Sequence, residues 1–69
     1  MTAREWIDLY AAKLGIEPPD DATVEALLDL AGVAAHASER TAAPITCWLV
    51  GRAGIGVEDA RRLADEVAG

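Results

Sequence analysis

Apolar positions recur along this chain with the spacing of helices. They return every three or four residues within 3–14, 22–39 and 57–68, and the segment between the last two, residues 43–53, is apolar at nearly every position. Gly, Pro and Asp residues separate the first segment from the second, Arg40 to Ala42 separate the second from the third, and two glycines lie between the third and the fourth. The pattern predicts a single domain over residues 1–69, with an all-α fold in the form of a compact four-helix bundle.

The predicted helix ends carry local capping signals. Thr2 is followed three residues later by Glu5, which is the spacing of a capping box, and Gly15 stands where a left-handed residue would end the first helix. Asp20 or Asp21 follows two prolines and is placed to cap the second helix. The limits of the first two helices therefore rest on local chemistry as well as on periodicity.

The third helix contains the most apolar stretch of the chain, "APITCWLVG" at residues 43–51. Its large side chains point in every direction around the axis, and a helix that is apolar all round is buried on most sides. This predicts that helix 3 is the central and least exposed helix, with Trp48 in the core or at a subunit interface. With Leu30 and Val33 of helix 2, the same apolar surplus predicts a protein partner or a symmetric homodimer.

Length and charge restrict the classes of function. A chain of 69 residues lies near the lower limit at which a hydrophobic core alone can sustain a fold. Its 12 acidic and six basic residues give a net charge of -6, which works against binding to nucleic acid or to an anionic membrane. The single cysteine, Cys47, cannot form an internal disulfide, and with no export signal or membrane span in the pattern this favours the cytoplasm.

Few residues are of the types that carry catalysis. His36 is the only histidine, and Cys47 lies in the apolar helix, where cysteine usually packs as a small apolar residue. The glycines of "GRAGIG" lack the lysine and hydroxyl residue of a phosphate-binding loop, and no metal-ligand spacing occurs. Ser38, the only serine, does not stand in the Asp-Ser-Leu setting of an acyl carrier protein. We therefore expect no catalytic activity, no cofactor and no metal.

One group of polar residues could form a binding site. His36 and Arg40 are four positions apart, which would place them on one face at the end of helix 2, close to the start of helix 3. With Thr41, also a candidate cap, and Thr46, they could bind a small anion or a carboxylate of a partner near a helix N-terminus. The alternative is that His36 and Arg40 only cap helix 2.

The order of these motifs resembles a family of small bacterial helical domains. The family pattern has a first helix with tryptophan, then Leu-Gly-hydrophobic-Pro, Leu-Leu-Asp-Leu-Ala, a His and an Arg four apart, Ala-Ala-Pro-Leu-Thr and Leu-Val-Gly. The matching positions here are Trp6, Leu14, Gly15, Pro18, Leu27 to Ala31, His36, Arg40, Ala42 to Thr46, with Ile45 in place of the usual Leu, and Leu49 to Gly51. The resemblance covers nearly the whole chain.

Members of that family occur alone or fused behind a molybdenum cofactor guanylyltransferase domain, and they are labelled as molybdopterin-guanine dinucleotide biosynthesis proteins. The transferase chemistry belongs to a nucleotide-binding α/β domain that this chain lacks. The resemblance therefore implies a non-catalytic accessory or protein-interaction domain that acts beside molybdenum cofactor guanylylation, with a molybdenum cofactor enzyme as the expected partner. The alternative function is a small-ligand or anion-binding domain that uses His36 and Arg40.

Overall fold

The computed structural model describes residues 1–69 and contains four helices. They are α1 (Ala3–Leu14), α2 (Asp21–Ala37), α3 (Ala42–Ala53) and α4 (Val57–Ala68). The predicted all-α bundle is confirmed, and the limits of the first and fourth helices agree with the prediction. Helices α2 and α3 each begin one residue earlier than predicted, and α2 ends two residues earlier.

The N-terminal caps predicted for α1 and α2 are present. The hydroxyl of Thr2 accepts a hydrogen bond from the Glu5 N–H at 3.1 Å, and the Glu5 carboxylate accepts one from the Thr2 N–H at 3.1 Å. At the start of α2, the Asp20 carboxylate accepts a hydrogen bond from the Thr23 N–H at 2.8 Å. Gly15 ends α1 with a φ of 75°, in the left-handed region that favours glycine.

Helix α2 is the centre of the bundle. It packs extensively against α3 and against α4, and no other pair of helices packs extensively. Leu30, midway along α2, is the only large side chain that is fully buried, with 0% of its surface exposed. Half-buried residues run around most of the circumference of α2, so this helix holds the other two together.

The prediction that α3 is the central and least exposed helix is therefore wrong. None of its residues is buried, and Trp48 has 62% of its surface exposed. The half-buried side of α3 carries small or short side chains, whereas Ile45, Trp48 and Leu49 are exposed. A helix that is apolar all round can only be covered if enough neighbours surround it, and this chain supplies one, α2.

The three packed helices alternate in direction. Val57 and Arg61 lie beside Ala26 and Asp29, near the start of α2, so α4 runs in the same direction as α2. Helix α3 runs the opposite way, because its first residue, Ala42, lies near the end of α4. A short link with Gly54 in the left-handed conformation, φ 68°, makes the reversal between α3 and α4.

Candidate protein-interaction surface

Helix α1 carries an exposed apolar surface, which we call the aromatic face: Trp6, Leu9 and Tyr10. The Trp6 and Tyr10 rings stack with their centroids 5.0 Å apart. Their exposed fractions are 56% and 51%, and Leu9 is exposed as well. These are the residues whose 3.6-residue spacing indicates an inward face, so α1 presents to solvent the side that its sequence pattern marks as apolar.

The opposite side of α1 faces the rest of the chain. Ala11 is buried, and Ile7 and Arg4 are half-buried. The Arg4 guanidinium donates a hydrogen bond to the Pro19 carbonyl at 2.5 Å and pairs with Asp21 at 3.7 Å. Polar contacts and two small or medium apolar side chains thus fix α1 against the link to α2, and the aromatic face stays free.

A second apolar surface is the groove between α3 and α4. Because both helices pack on α2 and not extensively on each other, a channel stays open between them, with α2 as its floor. Near the α2–α3 link the hollow has a volume of about 390 Å³, and it continues toward the α3–α4 link. The residues that line it are Val33, Ala34, Ala37 and Ser38 at the floor, Ala42, Thr46, Leu49, Val50 and Ala53 of α3, Ile55 of the α3–α4 link, and Ala60, Leu63, Ala64, Val67 and Ala68 of α4.

Charged side chains lie around the groove and not in its lining. Arg61 pairs with Asp29 of α2 and with Asp65 at 3.2 Å, so its charge is compensated on the side of α4 that faces α2. Arg62 pairs with Glu66 at 3.4 Å on the exposed side of α4. Thr46 and Ser38 are the only polar residues that line the channel. The groove therefore suits an apolar ligand or side chain rather than an ion.

The outer face of α3 adds a third exposed cluster. The Arg52 guanidinium lies 5.8 Å from the centroid of the Trp48 ring, which is cation–π distance. Ile45 is exposed on the same helix, and neither Ile45 nor Trp48 lines the groove between α3 and α4. The outer face of α3 is thus distinct from the groove, although both belong to one helix.

The predicted polar site is only partly assembled. His36 is exposed in the last turn of α2, but α2 ends at Ala37, and Ser38 leaves the helix with φ -141° and ψ -98°. Arg40 therefore belongs to the link between α2 and α3. The expectation that a spacing of four puts His36 and Arg40 on one helix face is wrong, because the helix on which it depends stops between them.

The two threonines of the predicted site also separate. Thr41 is exposed and occupies the N-cap position of α3, as predicted, but it has helical backbone angles and its side chain makes no capping hydrogen bond. Thr46 is half-buried one turn into α3 and lines the apolar groove. At this corner the open hollow is lined by Ser38, Glu39, Thr41, Ala42 and Ile45. The Glu39 carboxylate would repel an anion there.

Neither His36 nor Arg40 caps α2. The Ser38 hydroxyl donates to the Ala34 carbonyl at 2.8 Å, and the Ser38 N–H points to the same carbonyl. The anion-binding function thus remains a prediction, and the arrangement of the four residues does not add to it.

Hydrogen bonds at the helix caps shift two carboxyl groups. The backbone N–H and then the side chain of Thr2 lower the pKa of Glu5. Hydrogen bonding by the side chain and the backbone N–H of Thr23 lowers the pKa of Asp20. Both groups lie at helix N-termini on the surface, so these shifts reflect capping.

The sequence pattern placed several residues of these surfaces in the core. Leu63 and Val67 belong to a regular apolar stripe of α4, yet they form a wall of the groove and are exposed. The signal that could have identified them is the number of large apolar residues, which exceeds what one small chain can bury. The prediction of a partner rested on α3 and on Leu30 and Val33 of α2. For Leu30 that expectation is wrong, because the chain itself buries its side chain fully, and Val33 is half-buried.

Comparison with known proteins identifies the family. The whole chain, residues 1–69, matches the family described as a domain of unknown function (DUF6457). The chain belongs to the DUF6457 family. No curated protein and no solved structure matches this DUF6457 chain.

None of its helices combines the length and the apolar character that crossing a membrane requires. No three His, Cys, Asp or Glu side chains come together as a metal site would require.

Proposed function

We propose that this chain is a non-catalytic protein-interaction domain. The observation that supports the proposal is the ratio of exposed to buried apolar side chains. Thirteen large apolar side chains are exposed, whereas Leu30 alone is fully buried. Exposed apolar patches larger than a few hundred Å² are uncommon in proteins that stay monomeric, and they mark sites of interaction.

The chemistry of the surfaces fits a protein better than a small polar ligand. Aromatic residues and arginine are enriched where proteins bind one another, and here Trp6, Tyr10, Trp48 and Arg52 are all exposed. The groove offers almost no polar group that would orient a small molecule. A helix or an apolar segment of a protein is the occupant that this lining favours.

The finer proposal concerns the partner. From the resemblance in Trp6, the Leu27 to Ala31 segment and Ala42 to Thr46, we propose that the domain acts beside molybdenum cofactor guanylylation and contacts an enzyme of that process. The proposal of an anion-binding domain has less support, because His36 and Arg40 lie on different segments and Glu39 lines the hollow at that corner.

Binding to a purified molybdenum cofactor guanylyltransferase domain, measured by calorimetry, tests the partner. We expect binding that is lost in Trp6→Asp or Leu49→Asp and kept in Glu25→Gln, an exposed polar control on α2. Equal binding by all variants would show that the contact does not use the apolar surfaces. Absence of binding by the unchanged chain would overturn the link to molybdenum cofactor guanylylation.

A further inference from the structure

The chain exposes more surface than a folded monomer of its mass. A monomeric protein of this size is expected to expose roughly 4,100 Å². The observed surface is 5355 Å², an excess of roughly 1,200 Å² over that expectation. The radius of gyration, 12.5 Å, likewise exceeds the value of about 11 Å expected for a compact chain of this length.

The excess matches what a stable dimer hides. Two copies that each covered it would bury roughly 2,400 Å² in total, which lies in the range of obligate homodimers and above the standard interface of about 800 Å² per partner. The isolated chain has little else to stabilise it, because its buried residues are Leu30 and two alanines, and Cys47 is unpaired. Chains of this size commonly depend on disulfides, metals or oligomerisation.

Each copy carries two apolar surfaces of matching size. Helix α1 has 12 residues, which gives a length of about 18 Å, and the groove is walled by two helices of 12 residues each. The floor of the groove includes Ala34 and Ala37, whose small side chains allow another helix to approach closely. An unpartnered helix face and an unfilled groove of equal length therefore exist on the same molecule.

On this basis, and resting on the proposed function as an interaction domain, we propose that the chain forms a two-fold symmetric homodimer. In this dimer the aromatic face of α1 of each copy lies in the groove between α3 and α4 of the other copy, so a partner that uses these surfaces binds in competition with the second copy. The exchange is reciprocal, so each copy provides one helix and one groove, as an isologous interface requires.

Charge opposes the association without preventing it. Each copy has a net charge of -6, so two copies repel. The aromatic face and the lining of the groove carry no charged side chain, and the repulsion therefore acts between surrounding surface groups, which salt screens within about 8 Å at 0.15 M. The dimer is expected to tighten as the salt concentration rises, as an apolar contact between like-charged molecules should.

Sedimentation equilibrium on three variants tests the contact. We expect Tyr10→Asp on the aromatic face and Leu49→Asp in the groove each to weaken self-association by on the order of 100-fold or more, because each change occurs twice in the dimer. Ile45→Asp, on α3 but outside the groove, should keep the association within a few-fold of the unchanged chain. An equal loss in Ile45→Asp would overturn the groove as the site.

Mixing the variants distinguishes this interface from a contact between two α1 helices and from a contact between two grooves. A mixture of Tyr10→Asp with Leu49→Asp should form a heterodimer, because one intact helix meets one intact groove, although neither variant dimerises alone. A face-to-face contact of two α1 helices predicts that Leu49→Asp dimerises alone, and a contact of two grooves predicts the same of Tyr10→Asp. Either of those results would refute the proposal.

A covalent test does not depend on whether a charged variant folds. With Cys47→Ser removing the native thiol, Tyr10→Cys and Leu49→Cys in one chain should give a disulfide-linked dimer on mild oxidation, and each alone should not. The dimer would be overturned if the unchanged chain stayed monomeric up to high concentration and the double-cysteine chain did not cross-link. The proposed interaction function would then still stand if the aromatic face and groove variants lost binding to the transferase domain, so the two failures are distinguishable.

Discussion

Leu30 offers the most direct test of the fold, through the substitution Leu30→Ala. The side chain is fully buried in α2, so its truncation removes about 2.4 kcal/mol of transfer free energy, roughly 0.8 kcal/mol for each of three carbon groups. The cavity left behind raises the cost to between about 3 and 5 kcal/mol. A domain of this length has a total free energy of unfolding of roughly 3 to 10 kcal/mol, so the variant should be largely destabilised.

Leu28→Ala is the matched control, because the same substitution occurs two residues away in the same helix. Leu28 has 67% of its surface exposed, so only a third of its transfer free energy is at stake, about 0.8 kcal/mol. Any change in helix propensity is common to both variants and cancels in the comparison.

Thermal unfolding followed by circular dichroism, at one protein concentration, measures both variants. We expect Leu30→Ala to lower Tm by roughly 12 to 40 °C and Leu28→Ala by no more than roughly 3 to 6 °C. Similar losses in the two variants would refute the central position of α2 and of Leu30. A fall in Tm of only a few degrees in Leu30→Ala would refute that position as well, whatever the result for Leu28→Ala.

Three further outcomes are expected. If folding is coupled to the proposed homodimer, Tm should rise by about 5 °C for each tenfold increase in protein concentration, from an unfolding enthalpy near 100 kcal/mol for two copies, and a Tm that is independent of concentration in calorimetry would contradict the coupling. The pKa of Asp20 is lowered in the folded chain, so the ionised carboxylate stabilises the fold at neutral pH and this effect disappears as the pH falls below about 4. Asp20→Asn keeps the capping acceptor without the charge. In urea unfolding, the free energies of unfolding of the two chains should therefore become equal in acid. Nothing lies within 4 Å of a Cβ built on Gly32, inside α2, so Gly32→Ala should stabilise the chain by about 0.5 to 1 kcal/mol. Gly15→Ala should destabilise it, because Gly15 has a φ of 75°. A lower Tm for Gly32→Ala than for Gly15→Ala would show that Gly32 meets a partner.

The parts of the fold that follow from local chemistry could be predicted from sequence. The capping box of Thr2 and Glu5, the Asp20 cap and the left-handed Gly15 involve neighbours within five residues, so their spacing alone is enough to locate the ends of α1 and the start of α2. The early end of α2 was missed. The Ser38 hydroxyl caps the helix by donating to the Ala34 carbonyl, and the spacing of apolar residues carries no sign of this hydrogen bond. The expectation that His36 and Arg40 share a face at the end of α2 failed for this reason.

Burial could not be predicted in the same way, because it depends on how many neighbours a helix has. Apolar residues all around α3 indicate that something covers it, but they do not say whether the cover belongs to the same chain. Apolar positions lie on two sides of α2, and Leu30 was assigned there to a partner contact. Such positions need neighbours on both sides, so they were in fact the better sign of a central helix. For the aromatic face of α1 the pattern identified the correct residues and the wrong surroundings.

The attachment of α1 has a consequence for local unfolding. Arg4 connects α1 to the Pro19 carbonyl and to the Asp21 carboxylate, and Ala11 is the only residue of α1 that is buried. Detaching this helix exposes little apolar surface, so it should open far more readily than the helices around Leu30. In native-state hydrogen exchange, the amides of α1 should lose protection at a small fraction of the global unfolding free energy. A partner or second copy bound to the aromatic face would hold α1 in place and so slow the exchange of its amides.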